Sequence, residues 1–236
     1  GYSALRDQSH STATETYSTA VGYQAGTSIS TGLYNNLFGG LAGDALTTAN
    51  NNVAVGYNSL GANTTANNNV AVGYQALEEN TTGANNTAIG TNALDDNTTA
   101  NNNTAVGHGC MSANTTGDQN VAMGVGALGN NTTASNNTAF GHTALAKNTT
   151  GGANTAIGSV AMWSNTTGIR NTATGRYALY TNTTGNDNTS SGFYSLRLNT
   201  TGSRNTASGN YSLQANTTGC ENIATGHKAL CSNTTG

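Results

Sequence analysis

Residues 73–89 read GYQALEENTTGANNTAI, and residues 90–106, GTNALDDNTTANNNTAV, repeat the pattern. Working outward from this pair, the leading glycine recurs every 17 residues. It stands at Gly22, Gly39, Gly56, Gly73, Gly90, Gly107, Gly124, Gly141, Gly158, Gly175, Gly192, Gly209 and Gly226, with no insertion or deletion. With that anchor as slot 0, the unit is G-x-x-A-L-x-x-N-T-T-G/A-x-x-N-T-A-x. Self-similarity at a fixed period marks a stacked-repeat architecture. A 17-residue unit is too short for a pair of helices or a propeller blade, but it suits one β-solenoid coil.

Composition agrees. The 236 residues include 37 Asn, 42 Thr and 31 Gly, all weak helix formers, and no Pro. Only 7% are charged, and the net charge is −3. Leu, Ile, Val and Phe number 32, which leaves little for a bulky core. No run of about 18 apolar residues offers a membrane span. Seven basic against ten acidic residues give no support to nucleic-acid binding.

The sequence therefore predicts an all-β fold: a parallel β-solenoid, or β-roll, of 17-residue coils. Strands are expected at slots 13–16 and 1–5, separated by a bend at the anchor and a turn at N-T-T-G. Successive coils stack about 4.8 Å apart, so each slot becomes a column. Residues 18–236 supply about thirteen repeats. Residues 1–17 form an irregular N-terminal coil or cap, with Gly1 as another anchor and about four extra residues in 6–17. The chain starts and stops in mid-unit, as a piece of a longer array would.

Two Asn columns are predicted to act as hydrogen-bonded ladders. Slot 13 holds Asn35, Asn52, Asn69, Asn86, Asn103, Asn120, Asn137, Asn154, Asn171, Asn188, Asn205 and Asn222. Slot 7 holds Asn63, Asn80, Asn97, Asn114, Asn131, Asn148, Asn165, Asn182, Asn199, Asn216 and Asn233. Each slot-7 Asn begins an N-T-T sequon, so these eleven are also candidate N-glycan sites. A buried ladder competes with that reading. Slots 3, 4 and 15 carry a thin core of Ala and Leu. If the chain is extended through the anchor, slots 16 and 3 share one face and 15 and 4 the other. Apolar residues on both faces imply either a bend at the anchor or packing against another chain, which would make the protein self-associate as a trimer or filament.

Near residue 170 the pattern shifts. Slot 16 turns polar at Thr174, Ser191, Ser208 and Thr225, while slot 2 gains Tyr177, Tyr194 and Tyr211, a candidate glycan-binding or interface column. Residues 7–118 hold eight of the ten acidic residues and no basic one, and residues 147–228 hold six of the seven basic residues. Such a rod would have an acidic and a basic end, suited to head-to-tail joining.

Units such as NNTAIGTNALDDNTTA and NTATGRYALYTNTTG resemble the N-T-A-x-G-x-x-A-L-x-x-N-T-T-G repeats of bacterial and phage tail-fibre-like proteins. They are also similar to the N-x-A-x-G head repeats of trimeric autotransporter adhesins. The resemblance spans about residues 18–236. It implies a parallel β-roll, often trimeric, in an extracellular fibre or adhesive head at a cell or virion surface.

The residues show no catalytic constellation and call for no cofactor. His108, His142 and His227 share slot 1 but never in neighbouring coils, so they do not suit a shared zinc. Glu78, Glu79, Asp95 and Asp96 form an acidic corner, readable as solvated or as a weak Ca²⁺ site. Cys220 and Cys231 flank one N-T-T-G turn and are a candidate disulfide; Cys110 replaces a core Ala. Ice binding would want two Thr on one strand face, whereas slots 8 and 9 are adjacent and would point to opposite faces. The expected function is structural: a self-associating segment of an extracellular filament or fibre. The alternative is an adhesin or glycan-binding head with cell-surface glycans as partners, and an ice-binding solenoid is more remote.

Overall fold

The computed structural model describes residues 1–8 and 16–236. It is an all-β parallel solenoid with a 17-residue coil, and it divides into two compact units, Gly1–Asp118 and Gln119–Gly236. No helix occurs among the described residues. The first unit contains β1 (Thr19–Val21), β2 (Asn36–Phe38), β3 (Val53–Val55), β4 (Val70–Val72), β5 (Thr87–Ile89) and β6 (Thr104–Val106). The second contains β7 (Val121–Met123), β8 (Thr138–Phe140), β9 (Thr155–Ile157), β10 (Thr172–Thr174), β11 (Thr189–Ser191), β12 (Thr206–Ser208) and β13 (Ile223–Thr225). Within each unit consecutive strands pair in parallel at a shift of one repeat, from Thr19↔Asn36 to Thr87↔Thr104 and from Val121↔Thr138 to Thr206↔Ile223.

Each coil thus has one three-residue strand, slots 14–16, which lies within the expected 13–16. The second expected strand does not form. Slots 1–6 are a chain of turns, with slots 2 and 4 in the left-handed region, as at Gln75 (φ 53°) and Leu77 (φ 53°). Alternation in an extended strand cannot bury two successive side chains on one side. The turns do so: Ala76 and Leu77, in slots 3 and 4, are both fully buried, as are Ala93 and Leu94. A left-handed Leu costs roughly 1–2 kcal/mol, and burying its side chain returns a similar amount. The turn still bonds between coils, with Leu77 N–H donating to Ala93 O at 3.0 Å and Gln75 N–H to Tyr57 O at 3.0 Å.

The anchor glycine supplies the bend. Its φ lies between +119° and +147°, which L side chains rarely adopt. A Cβ at Gly73 would also stand 2.6 Å from the carbonyl carbon of Gly90 in the next coil. The bend separates slot 16 from slot 3: Ala at slots 3 and 15 faces the core, and slot 16 faces outward. Phe38, Ile89 and Met123 are 43%, 41% and 46% exposed there.

Two early coils of the first unit solve the core differently. Slot 4 is Gly26 or Gly43, and slot 7 is Ile29 or Leu46 in place of Asn. A Cβ at Gly26 would meet the Cδ1 of Leu37 at 2.7 Å and of Ile29 at 3.0 Å, so bulk removed from slot 4 is returned from slots 7 and 15. Gly1 does act as an anchor. A Cβ on it would collide with the carbonyl of Gly22, and Leu5 N–H donates to Ala25 O at 3.1 Å. Most of the extra residues expected within 6–17 fall on 9–15, outside the described residues.

Candidate functional site

The Asn columns are built into the coil wall. In slot 13 the side-chain oxygen of one Asn accepts the backbone N–H of the next, as from Asn171 to Asn154 at 2.9 Å. In slot 7 the amides bond directly to one another, as from Asn165 Nδ2 to Asn148 Oδ1 at 2.9 Å. The two ladders meet at the slot-10 carbonyl: Gly168 O accepts from Asn165 Nδ2 at 3.0 Å and from Asn154 Nδ2 at 2.8 Å. One rung is incomplete, because Asn137 Nδ2 is buried without a partner.

This geometry bears on the sequons. The slot-7 Asn residues from Asn63 to Asn216 are fully buried, and the amide nitrogen that a glycan would occupy is enclosed in the coil. Asn233, in the last coil, is only half-buried. The neighbouring slot-8 Thr hydroxyls are also spent internally, as with Thr183 Oγ1 donating to Thr200 O at 3.1 Å. The Thr side chains that do share an outward face are in slot 14, paired with slot 16 rather than with each other's neighbours in N-T-T. Thr172 and Thr174, on β10, are the plainest case.

The tyrosine column forms, but its ring faces are covered. Tyr194 stacks between Tyr177 and Tyr211 at centroid distances of 5.0 and 5.5 Å. Trp163 stacks on Tyr180 at 5.5 Å, and Tyr177 meets Tyr180 edge-on at 5.3 Å. Arg176 lies 4.8 Å from the Tyr177 ring and Arg197 4.6 Å from that of Tyr194, while Lys147 Nζ lies 3.8 Å from that of Trp163. A face stacked on another ring offers nothing to a sugar, so the column is a self-stacked ladder and not a row of open platforms. The first unit does the same at Tyr57–Tyr74, 5.7 Å apart. Sequence reading missed this because period alone does not say whether a column's rings face one another.

The remaining groups stay apart. His108, His142 and His227 are exposed. No cluster of three His, Cys, Asp or Glu side chains suited to a metal ion occurs among the described residues, so the acidic corner does not gather into one. Cys220 and Cys231 are separate thiols: Cys220 Sγ contacts Ser203 N and Thr218 O, and Cys231 Sγ lies 3.8 Å from Ser232 Oγ. Cys110 is buried in the core, and burial pushes its thiol up to about 12, which makes it inert.

Within the acidic corner Asp95 is strained. Burial raises its pKa, the charges of Asp96 and Glu78 add to the rise, and its Oδ1 is buried without a partner. A raised folded-state value means that the folded chain holds this proton more tightly. The stability it contributes is complete below the ordinary value of 3.8 and is lost as pH rises through the raised one. Asp95→Asn should therefore raise the melting temperature at pH 7 by roughly 2 °C and leave it unchanged near pH 3. Thermal melts at both pH values check this; an equal gain at both would mean that charge is not the cause.

Compared with protein-family models, with curated proteins and with solved structures, the chain finds no match in any of the three.

Proposed function

We propose that this chain is a structural segment of an extracellular filament or fibre that associates with further copies of itself. The observation that carries the reading is where the reactive side chains go. The Asn amides, the slot-8 hydroxyls and the aromatic faces, which a binding site would turn outward, are consumed in ladders along the coil axis. Such a device strengthens nearest-neighbour coupling between coils, which is what a load-bearing repeat needs.

Association uses the outer face of the sheet. In the first unit it carries an apolar slot-16 column, and in the second the column is apolar only from Met123 to Ile157, with Ile89 and Met123 exposed on strands whose other face is already buried. Exposed apolar columns of this kind are covered in assemblies. Light scattering and negative-stain microscopy of the purified chain should show oligomers or filaments. Ile89→Lys with Ile157→Lys should shift them to monomer while thermal melts stay cooperative. A wild-type chain that is monomeric at tens of micromolar, or a double variant that assembles normally, would overturn the reading.

A further inference from the structure

Residues 119–236 contain six basic side chains and two acidic ones. Two of the basic residues are spent at slot 12 on neighbours in the next coil: Arg170 on Asp187 at 2.6 Å, and Arg204 on Glu221 at 2.7 Å. The other four are Lys147, Arg176, Arg197 and Lys228. They occupy slots 6, 1, 5 and 2, at the turn-chain corner, and none makes an ion pair among the described residues. Three are held against rings: Lys147 on Trp163, Arg176 on Tyr177 and Arg197 on Tyr194. A ring fixes a cation without neutralising it, so the charge is pre-positioned and remains available to an anion. Arg197 Nε is moreover buried without a hydrogen-bond partner, a donor that the fold leaves unused.

The charge is not demanded by the coil. In the first unit the same corner carries Asp44, Glu78, Glu79, Asp95 and Asp96 in slots 5 and 6, on the same backbone. From these observations we infer that the slot 1–6 corner of the second unit binds a linear acidic polysaccharide, through salt bridges and charge-assisted hydrogen bonds to its carboxylate or sulfate groups. The four cations belong to the coils anchored at Gly141, Gly175, Gly192 and Gly226. They are therefore spaced along the axis by two coils, one and two, or about 9.6, 4.8 and 9.6 Å at the inter-strand repeat. An extended glycan with an anion on each sugar or each disaccharide matches such a row. Single-stranded nucleic acid would need open ring faces on which to stack its bases, and here those faces are covered by one another.

The test measures binding of the intact chain to immobilised heparin, polygalacturonate, dextran and oligo-deoxythymidine at low and high salt. The expected result is salt-sensitive binding to heparin, to polygalacturonate or to both, and none to dextran. Heparin alone assigns sulfate as the recognised group, and polygalacturonate assigns carboxylate. Arg176→Gln with Arg197→Gln, and separately Lys147→Gln with Lys228→Gln, should each weaken binding about tenfold or more. The slot-12 pair Arg170→Gln with Arg204→Gln should change it less than about threefold, because those charges are already paired. Melting curves of all three confirm folding. Failure to bind either acidic glycan, equal weakening by the slot-12 variant, or tighter binding to the oligonucleotide than to both glycans would overturn the inference.

Discussion

Gly141→Ala should remove a large share of the stability of the second unit. The anchor sits at φ +136°, and a Cβ there would lie 2.6 Å from both the carbonyl carbon and the oxygen of Gly158. The backbone strain costs about 1–3 kcal/mol, and pushing a neighbouring backbone aside adds about 1–3 kcal/mol more. The sum, about 2–6 kcal/mol, is a large share of the 5–15 kcal/mol typical of a folded chain. Two controls separate the terms. Gly109 has φ +59° with nothing within 4 Å of an added Cβ, and Gly226 has φ +119° with nothing within 4 Å either. Gly109→Ala should cost about 1 kcal/mol, and Gly226→Ala should show the strain without the collision. Urea unfolding of the three variants decides the matter. If Gly141→Ala unfolds at the same midpoint as Gly226→Ala, contact between coils is not what fixes the anchor.

Asn154→Ala is expected to follow in severity, at about 2–4 kcal/mol. Asn154 Oδ1 accepts from the backbone N–H of Asn171 at 2.9 Å and from its side chain at 3.3 Å. Its own Nδ2 donates to Gly168 O at 2.8 Å. Truncation leaves a buried backbone donor unpaired, worth about 1–3 kcal/mol, and opens a void in the wall. Asn137→Ala should cost measurably less. Its Oδ1 serves Asn154 N–H in the same way at 2.9 Å, but its Nδ2 has no partner to lose. Gln119→Ala, in exposed slot 12, should be the mildest. Equal midpoints for Asn154→Ala and Gln119→Ala would refute the ladder.

The period, the parallel stacking and the Asn ladders were legible because each shows as one residue type at one slot. Asn at slot 13 has a single role, and strict recurrence reveals it. The turn chain was not legible. Tyr-Gln-Ala-Leu-Glu at 74–78 was expected as a strand because a coil of this length suits two strands, although only Tyr there is a strand former, and its left-handed residues at Gln75 and Leu77 are imposed by the coil. The recurring apolar pair at slots 3 and 4, here Ala76-Leu77, was the available clue, since an alternating strand would turn one of the two away from the core, whereas both are buried. The exchange of Leu at slot 4 for Gly26 with Ile29 escaped notice because it conserves volume across two slots, and a slot-by-slot reading sees only two exceptions. For the candidate site, the residues of the tyrosine column were visible but their mutual stacking was not. The ring-held cations needed three dimensions, since slots 1, 2 and 5 are brought together by the turn.

The in-register pairing, within each unit, of consecutive strands 17 residues apart also governs how such a chain can change over generations. A single residue lost or gained inside a strand or an Asn ladder would push its neighbours off their columns, whereas extra length between them is tolerated, since Gly1 and Gly22 stack at a spacing of 21 residues. Adding or deleting 17 codons together displaces nothing, since every column meets its own kind across the new junction. Genes of this sort should therefore differ between related strains more in the number of copies than in the length of a copy. Coils duplicated most recently should be the most alike.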